Sequence, residues 1–206
     1  MRVTAWNNKI KDTVKVAKWL EQAGVDALHV STGSSFPHPK NPAGDFPVDE
    51  ALRTFPSLIP SGQNEFFNYL ALRALSSGRL YQTLWEKARG DKIEGINLAD
   101  SKAIKTAVSI PVISTGGFQT ASVIEQAISG GSCDAVSIAR SLVANNDLVK
   151  IFERGLDRPE KPCTYCNKCL VNVLQNPLGC YEESRFESRQ QMIDQIMSVF
   201  DPPPFA

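Results

Sequence analysis

Four cysteines crowd into eighteen positions toward the C-terminal end of the chain. Cys163, Cys166 and Cys169 form a C-x2-C-x2-C run, and Cys180 joins them ten intervening residues later in Asn176–Pro177–Leu178–Gly179–Cys180. Three closely spaced thiolates plus one more distant is a common way for a chain to wrap a 4Fe–4S cube, because each iron needs one sulfur ligand. The same thiolates also suit a four-cysteine zinc site, although such sites more often come as two separated C-x2–4-C pairs. Reduced cysteines with no metal are the third reading and fit the spacing least. Disulfides explain the crowding poorly, because the segment MRVTAWNNKIKDTVKV lacks the apolar core of a secretory signal. Cys133 stands apart and reads as an ordinary thiol.

A second group of residues suits anions. In Ser114–Thr115–Gly116–Gly117–Phe118–Gln119–Thr120, two glycines follow an expected strand and precede an expected helix. Adjacent glycines let the backbone approach an anion closely, and the N–H groups at the start of the next helix are expected to point toward it. Ser137–Ile138–Ala139–Arg140 ends the following strand, and its arginine offers a forked, permanently charged grip on phosphate. In (β/α)8 barrels the phosphate site is commonly built by the loops after the last two strands. Gly116 and Gly117 on one loop, with Ala139 and Arg140 on the next, fit that scheme better than they fit simple turn punctuation. These residues alone do not say which phosphorylated ligand binds. The only two histidines are His29, within an expected buried strand, and His38, between two prolines. His29 reads as a hydrogen-bonded core histidine and His38 as exposed loop.

The elements that position these residues follow a repeated order. Thr13–Ala23 has the apolar spacing of an amphipathic helix, Gly24 sits where a left-handed cap belongs, and Asp26–Val30 is β-prone before Ser31–Thr32–Gly33. The order returns as helix Asp100–Val108 with strand Ile110–Ser114, and as helix Ala121–Ser129 with strand Ala135–Ile138. A further helix is expected over Asn145–Phe152. Three such units in series predict a parallel sheet covered by helices, either a barrel or an open doubly wound sheet. Between the first and second units, Ser34–Gly95 departs from the pattern. Its proline-rich first part is expected to be mostly loop. Glu65–Lys87 reads as helical with a break at Ser76–Ser77–Gly78, and its stripe of Phe66, Tyr69, Leu70, Tyr81, Leu84 and Trp85 reads as packing on its own domain. Ser188–Phe200 reads as a last helix stopped by Pro202–Pro204.

Composition narrows the function. Lys plus Arg (22) balances Asp plus Glu (22), so no basic excess exists to neutralise a nucleic-acid backbone. An apolar fraction of 42% suits a soluble globular protein, and no stretch reaches the roughly 18 apolar residues of a membrane span. A cytoplasmic protein that acts on a small molecule is the expectation.

At this point the motifs resemble a known family. GVDALHVSTG, IPVISTGGFQTASVIEQAI, CDAVSIARSLVANNDLV and CTYCNKCL…NPLGCYEESRF are together similar to the C-terminal half of the old yellow enzyme class of NADH:flavin oxidoreductases. The branch that includes 2,4-dienoyl-CoA reductase and trimethylamine dehydrogenase is the nearest in pattern. The resemblance implies part of a TIM (β/α)8 barrel over residues 1–155, with an insertion at about 34–95. It also implies a four-cysteine segment and a terminal helix over 156–206. It further implies that Gly116, Gly117, Ala139 and Arg140 hold the phosphate of FMN, and that Cys163, Cys166, Cys169 and Cys180 ligate a 4Fe–4S cluster. NADH or NADPH would supply electrons.

The family's substrate-orienting pair, His/His or His/Asn, lies upstream of the matched region, so no catalytic residue is assigned and a missing N-terminal half, or a second copy, is the expected partner. Two other readings stay open. One is a zinc-bearing, non-catalytic interaction module built on a half-barrel. The other is a barrel whose phosphate site holds a phosphorylated substrate and no flavin.

Overall fold

In the computed structural model, which describes residues 10–32, 38–61, 63–76 and 80–198, the three expected strands pair into one parallel sheet. Along the chain run α1 (Ile10–Gln22), β1 (Leu28–Val30), α2 (Val48–Thr54), α3 (Gln63–Ser76), α4 (Leu80–Arg89) and α5 (Leu98–Lys105). There follow β2 (Val112–Thr115), α6 (Ala121–Ser129), β3 (Ala135–Ser137), α7 (Arg140–Ala144), α8 (Leu148–Glu153), α9 (Lys168–Asn172) and α10 (Arg189–Ser198). The α/β class and the parallel sheet are as expected from sequence. Of the expected helix break at Ser76–Ser77–Gly78, Ser76 is the last residue of α3, while Ser77 and Gly78, like the stop at Pro202–Pro204, lie outside the described residues. The chain divides into two compact units, one formed by the described residues of 1–44 and 88–162, the other by those of 45–87 and 163–206.

The first unit holds the sheet, in the order β1-β2-β3. Register pairs Leu28 with Val112, His29 with Ile113 and Val30 with Ser114, then Ile113 with Ala135, Ser114 with Val136 and Thr115 with Ser137. Side chains alternate faces along a strand. Leu28, Val30 and Val112 therefore share one face, where they bury against Ala17 of α1 and Ile104 of α5. Each large apolar side chain so buried contributes about 1.5–3 kcal/mol. Ser114, also on this face, is buried, and its oxygen accepts from the Ser101 hydroxyl at 2.8 Å, so the polar atom is satisfied. Phe118, Ala127 and Cys133 form a second cluster with Leu98, Ile124 and Val136. Cys133, expected to be an ordinary loop thiol, is core, and burial pushes its thiol pKa up.

The helix expected over Asn145–Phe152 is found as α8, starting three residues later at Leu148, and an unexpected short helix, α7, precedes it. α7 starts at Arg140, and Asn145 takes an extended conformation (φ −141°, ψ 91°) that breaks the path before α8.

The second unit contains a helix that the prolines obscured in sequence. α2 begins directly after Pro47, with Asp49 and Glu50 in its first turn, where acidic side chains meet the positive helix end. Trp85 and Tyr81 of α4 pack on Phe46, with ring centroids 4.8 and 5.1 Å apart. That half of the aromatic stripe packs within its own unit, as expected. Phe66, Leu70 and Leu84, by contrast, are exposed.

Candidate functional site at the strand ends and in the cysteine segment

The carboxyl ends of β2 and β3 are held side by side by the Thr115–Ser137 pairing, and the two glycines and the Ala–Arg pair follow those ends directly. Gly116 is buried and Gly117 has φ +67°. A Cβ at Gly116 would stand 3.1 Å from Ile96 Cγ2 and 3.2 Å from the Ile96 amide nitrogen. A Cβ at Gly117 would stand 3.0 Å from the Ile93 carbonyl oxygen. The glycines are thus required both by the left-handed turn and by a strap, residues 93–97, laid against the loop. The strap is stitched on by the Gly95 N–H to the Gly116 carbonyl (2.7 Å) and by Asn97 Nδ2 to the Thr115 carbonyl (2.6 Å). Thr32 Oγ1 in turn donates to Asn97 Oδ1 at 3.0 Å.

One expectation about this loop is corrected. The N–H groups at the start of α6 are already engaged. Those of Gln119 and Thr120 donate to Glu94 Oε1 at 2.7 and 2.8 Å, and the Thr120 hydroxyl donates to Glu94 Oε2. Ala121 N–H reaches the Asp157 carbonyl, and Ser122 N–H reaches Asp157 Oδ1 at 2.7 Å. Two internal carboxylates therefore neutralise the positive helix end. The first amides of α6 are thus not available to an anion at this corner.

Ala139 is exposed and precedes α7, whose first residue is Arg140. Arg140 is half-buried, and its Nη2 donates to the Ala43 carbonyl at 2.7 Å. A guanidinium carries five N–H donors in a fixed plane, and this bond helps fix the orientation of that fork.

The sequence reading missed a polar trio on the same strands. His29 Nε2 lies 2.7 Å from Ser137 Oγ and also bonds Thr115 Oγ1, and the two hydroxyls bond each other. His29 is hydrogen-bonded, as expected, but it is half-buried and not a core residue, because it lies on the sheet face opposite Leu28 and Val30. In-phase alternation of His29, Thr115 and Ser137 was the signal that would have found the trio, once the strands were set in register.

In the second unit, the cysteine run bends through two left-handed residues, Tyr165 and Asn167, both at φ +59°. The bends aim amides at sulfur. Tyr165 N–H donates to Cys163 Sγ at 3.4 Å, and the Lys168 amide donates to the Cys166 sulfur. Asn167 is buried and pins the turn, with Nδ2 on the Asp45 carbonyl (2.9 Å), while Asp45 N–H bonds the Tyr165 carbonyl (2.9 Å). Cys169 starts into α9. Arg185 Nη1 donates to Cys180 Sγ at 3.1 Å. Gly179 lets the chain before Cys180 pass α10, since a Cβ there would stand 2.5 Å from Ile196 Cγ1.

Burial pushes the Cys166 thiol up, opposed by the Lys168 amide. Lys168 Nζ lies 3.2 Å from Glu182 Oε2 and 3.7 Å from Glu50 Oε1. Burial is the largest single influence and works against its charge, but the Glu182 hydrogen bond together with the charges of Glu182 and Glu50 outweighs it, and its pKa rises. Among the described residues, no three His, Cys, Asp or Glu side chains are grouped so as to hold a metal ion. The observation that does bear on a thiolate-ligated group is the set of N–H···S bonds, because donors aimed at sulfur favour its anionic form.

The chain is 45% identical over 76 residues to a bilirubin reductase of Mediterraneibacter gnavus, which is 37% of this chain and 12% of that protein. It is 25% identical over 190 residues to an NADH oxidase of Thermoanaerobacter brockii, 85% of this chain and 22% of that protein. It is also 29% identical over 140 residues to a thiamine-phosphate synthase of Methanoculleus marisnigri, 66% of this chain and 60% of that protein. The chain thus spans about an eighth to a fifth of the length of the two redox relatives. The likenesses to the bilirubin reductase and the NADH oxidase bear out the resemblance to NADH:flavin oxidoreductases. The family model for dihydrouridine synthase (Dus) matches residues 78–201, more than half of the chain, and the chain belongs to that family of flavin-dependent TIM-barrel oxidoreductases.

Proposed function

We propose that this chain is the C-terminal part of an FMN-dependent NAD(P)H oxidoreductase of the ene-reductase or dienoyl-reductase kind. Residues 1–155 would be part of the barrel, with the insertion at about 34–95, and residues 156–206 would carry the cysteine segment. The observation that carries the reading is the pair of loops, Gly116–Gly117 and Ala139–Arg140, leaving two strand ends that register holds adjacent. The amides of Gly116 and Gly117 and the Arg140 guanidinium would hold the phosphate, and the small side chain of Ala139 leaves it room. Bound FMN would supply hydride transfer between nicotinamide and substrate. Cys163, Cys166, Cys169 and Cys180 would hold a 4Fe–4S cluster, which supplies single-electron transfer when bound. The amide and guanidinium donors directed at the sulfurs of Cys163, Cys166 and Cys180 support the reading of these cysteines as ligands.

The partner would be a small-molecule substrate in the cytoplasm, with the upstream barrel half or a second copy completing the protein. Nucleic acid is not proposed, since the chain has no net charge. Among the described residues, no helix is long and apolar enough to cross a membrane.

A second reading is favoured by the likeness to a thiamine-phosphate synthase: the corner would hold a phosphorylated substrate and no flavin. The cysteine segment speaks against it. Anaerobic purification followed by metal analysis and FMN titration separates the readings. The expected result is about four irons per chain and FMN binding that Arg140→Ala weakens by about 10–100-fold. Absence of FMN binding overturns the flavin reading, and stoichiometric zinc without iron overturns the cluster.

A further inference from the structure

The His29–Thr115–Ser137 trio has no part in the phosphate grip, yet three separate strands contribute to it. The positions span 108 residues of sequence, and parallel register alone brings them together. All three are half-buried, on the sheet face away from α1 and α5. A purely structural sheet face at this place gains more from apolar β-branched side chains than from three polar ones. The carboxyl ends of parallel strands are also where α/β proteins bind their ligands.

Counting protons shows what the trio offers. Two hydroxyls and one ring nitrogen make three mutual contacts. When Nε2 is bare, both hydroxyl protons can stay inside the trio. When Nε2 carries a proton it cannot accept, so only one hydroxyl proton can bridge the two oxygens and the other must point out of the trio. The imidazole therefore sets whether the strand ends present a hydroxyl donor to a ligand, and a change of tautomer suffices.

The trio also stands close to the phosphate corner along the chain. Thr115 adjoins Gly116, and Ser137 lies three residues before Arg140. At about 3.8 Å per residue, this is within roughly 4–11 Å of backbone. An uncharged, oxygen-bearing chain attached to the phosphate would meet it first.

We infer that His29, Thr115 and Ser137 bind the ribityl hydroxyls of the flavin, so that the site recognises the polyol as well as the phosphate. The inference rests on the flavin reading above. It is tested by fluorescence titration of the chain with FMN and with riboflavin, which lacks the phosphate. The variants are the double substitution Thr115→Val with Ser137→Ala, the milder Ser137→Ala alone, and Arg140→Ala. The double variant is expected to weaken both ligands by about tenfold and the single variant by less, while Arg140→Ala weakens FMN alone. If riboflavin is too weak to measure, the FMN arm decides.

Histidine NMR supplies a readout that loss of packing would not reproduce. The chain has two histidines, so His38→Gln assigns His29, and the His29 Nε2 resonance is expected to shift on addition of FMN. Unaltered flavin affinity in the folded double variant, with Arg140→Ala still impaired, overturns the inference and leaves the flavin reading standing. A parent chain that binds neither ligand overturns both.

Discussion

The strand-end corner and the cysteine segment are assembled in opposite ways. At the strand ends, every group depends on distant chain. Register lines up His29, Thr115 and Ser137, and Glu94 holds the start of α6 from more than twenty residues away. In the cysteine segment the donors are mostly local. Sulfurs accept from amides two residues on, through turns set by Tyr165 and Asn167, and Cys180 accepts from Arg185, five residues later. The first arrangement is invisible to a residue count and exists only once the strands are in register. The second is written in spacing and waits on the chemistry of sulfur for its identity.

Substitutions can break or sharpen that contrast. The largest effect is expected from Cys166→Ser against Cys133→Ser. The first should remove nearly all iron from anaerobically purified chain, since one lost ligand opens the cluster. The second should keep the iron but place a hydroxyl in a buried apolar cluster, costing about 1–3 kcal/mol in denaturant unfolding. Equal iron in both variants would remove the distinction between the cysteines.

A smaller effect is expected from Glu94→Ala, which deletes three hydrogen bonds at the start of α6. A loss of about 1–2 kcal/mol should appear as a fall of several degrees in Tm. No change would mean that the glycine loop is held by its own residues, as the cysteine turns are.

The smallest concerns Asp134. Its hydrogen bond to Lys105, and then that to the Val112 amide, hold its carboxyl below the ordinary value of 3.8. A depressed carboxylate stabilises the fold above its unfolded pKa, and that contribution is lost as pH falls through the lower folded value. The group is exposed enough for solvent to screen it, so Asp134→Asn should cost less than about 1 kcal/mol near neutrality. Urea midpoints of parent and variant should converge in strong acid; a gap that persists there would tie the effect to packing and not to charge.

Several features were legible in the residues themselves. Apolar spacing located α6 to the residue, and strand-plus-loop punctuation gave the parallel sheet. The glycine pair and Arg140 were readable because few other residue types tolerate φ +67° or offer a permanent fork. Helix α2 was hidden by flanking prolines, although Pro47 before an acidic turn is a start signal. The break at Asn145 and the engagement of the α6 amides by Glu94 and Asp157 had no local cue, because each depends on where another segment lies.

The sequence by itself determined the residue types and their order: which strands alternate, where the backbone can turn left-handed, and which thiols share a short stretch. Local sterics and hydrogen-bond chemistry act within a few residues, so these properties need no fold. Tertiary structure alone decided that a histidine would meet two hydroxyls from later strands, and that a glutamate would take the place of an anion at a helix start. Those outcomes depend on strand register and on the path of residues 93–97, and both are settled only when the apolar face of the sheet closes on its helices.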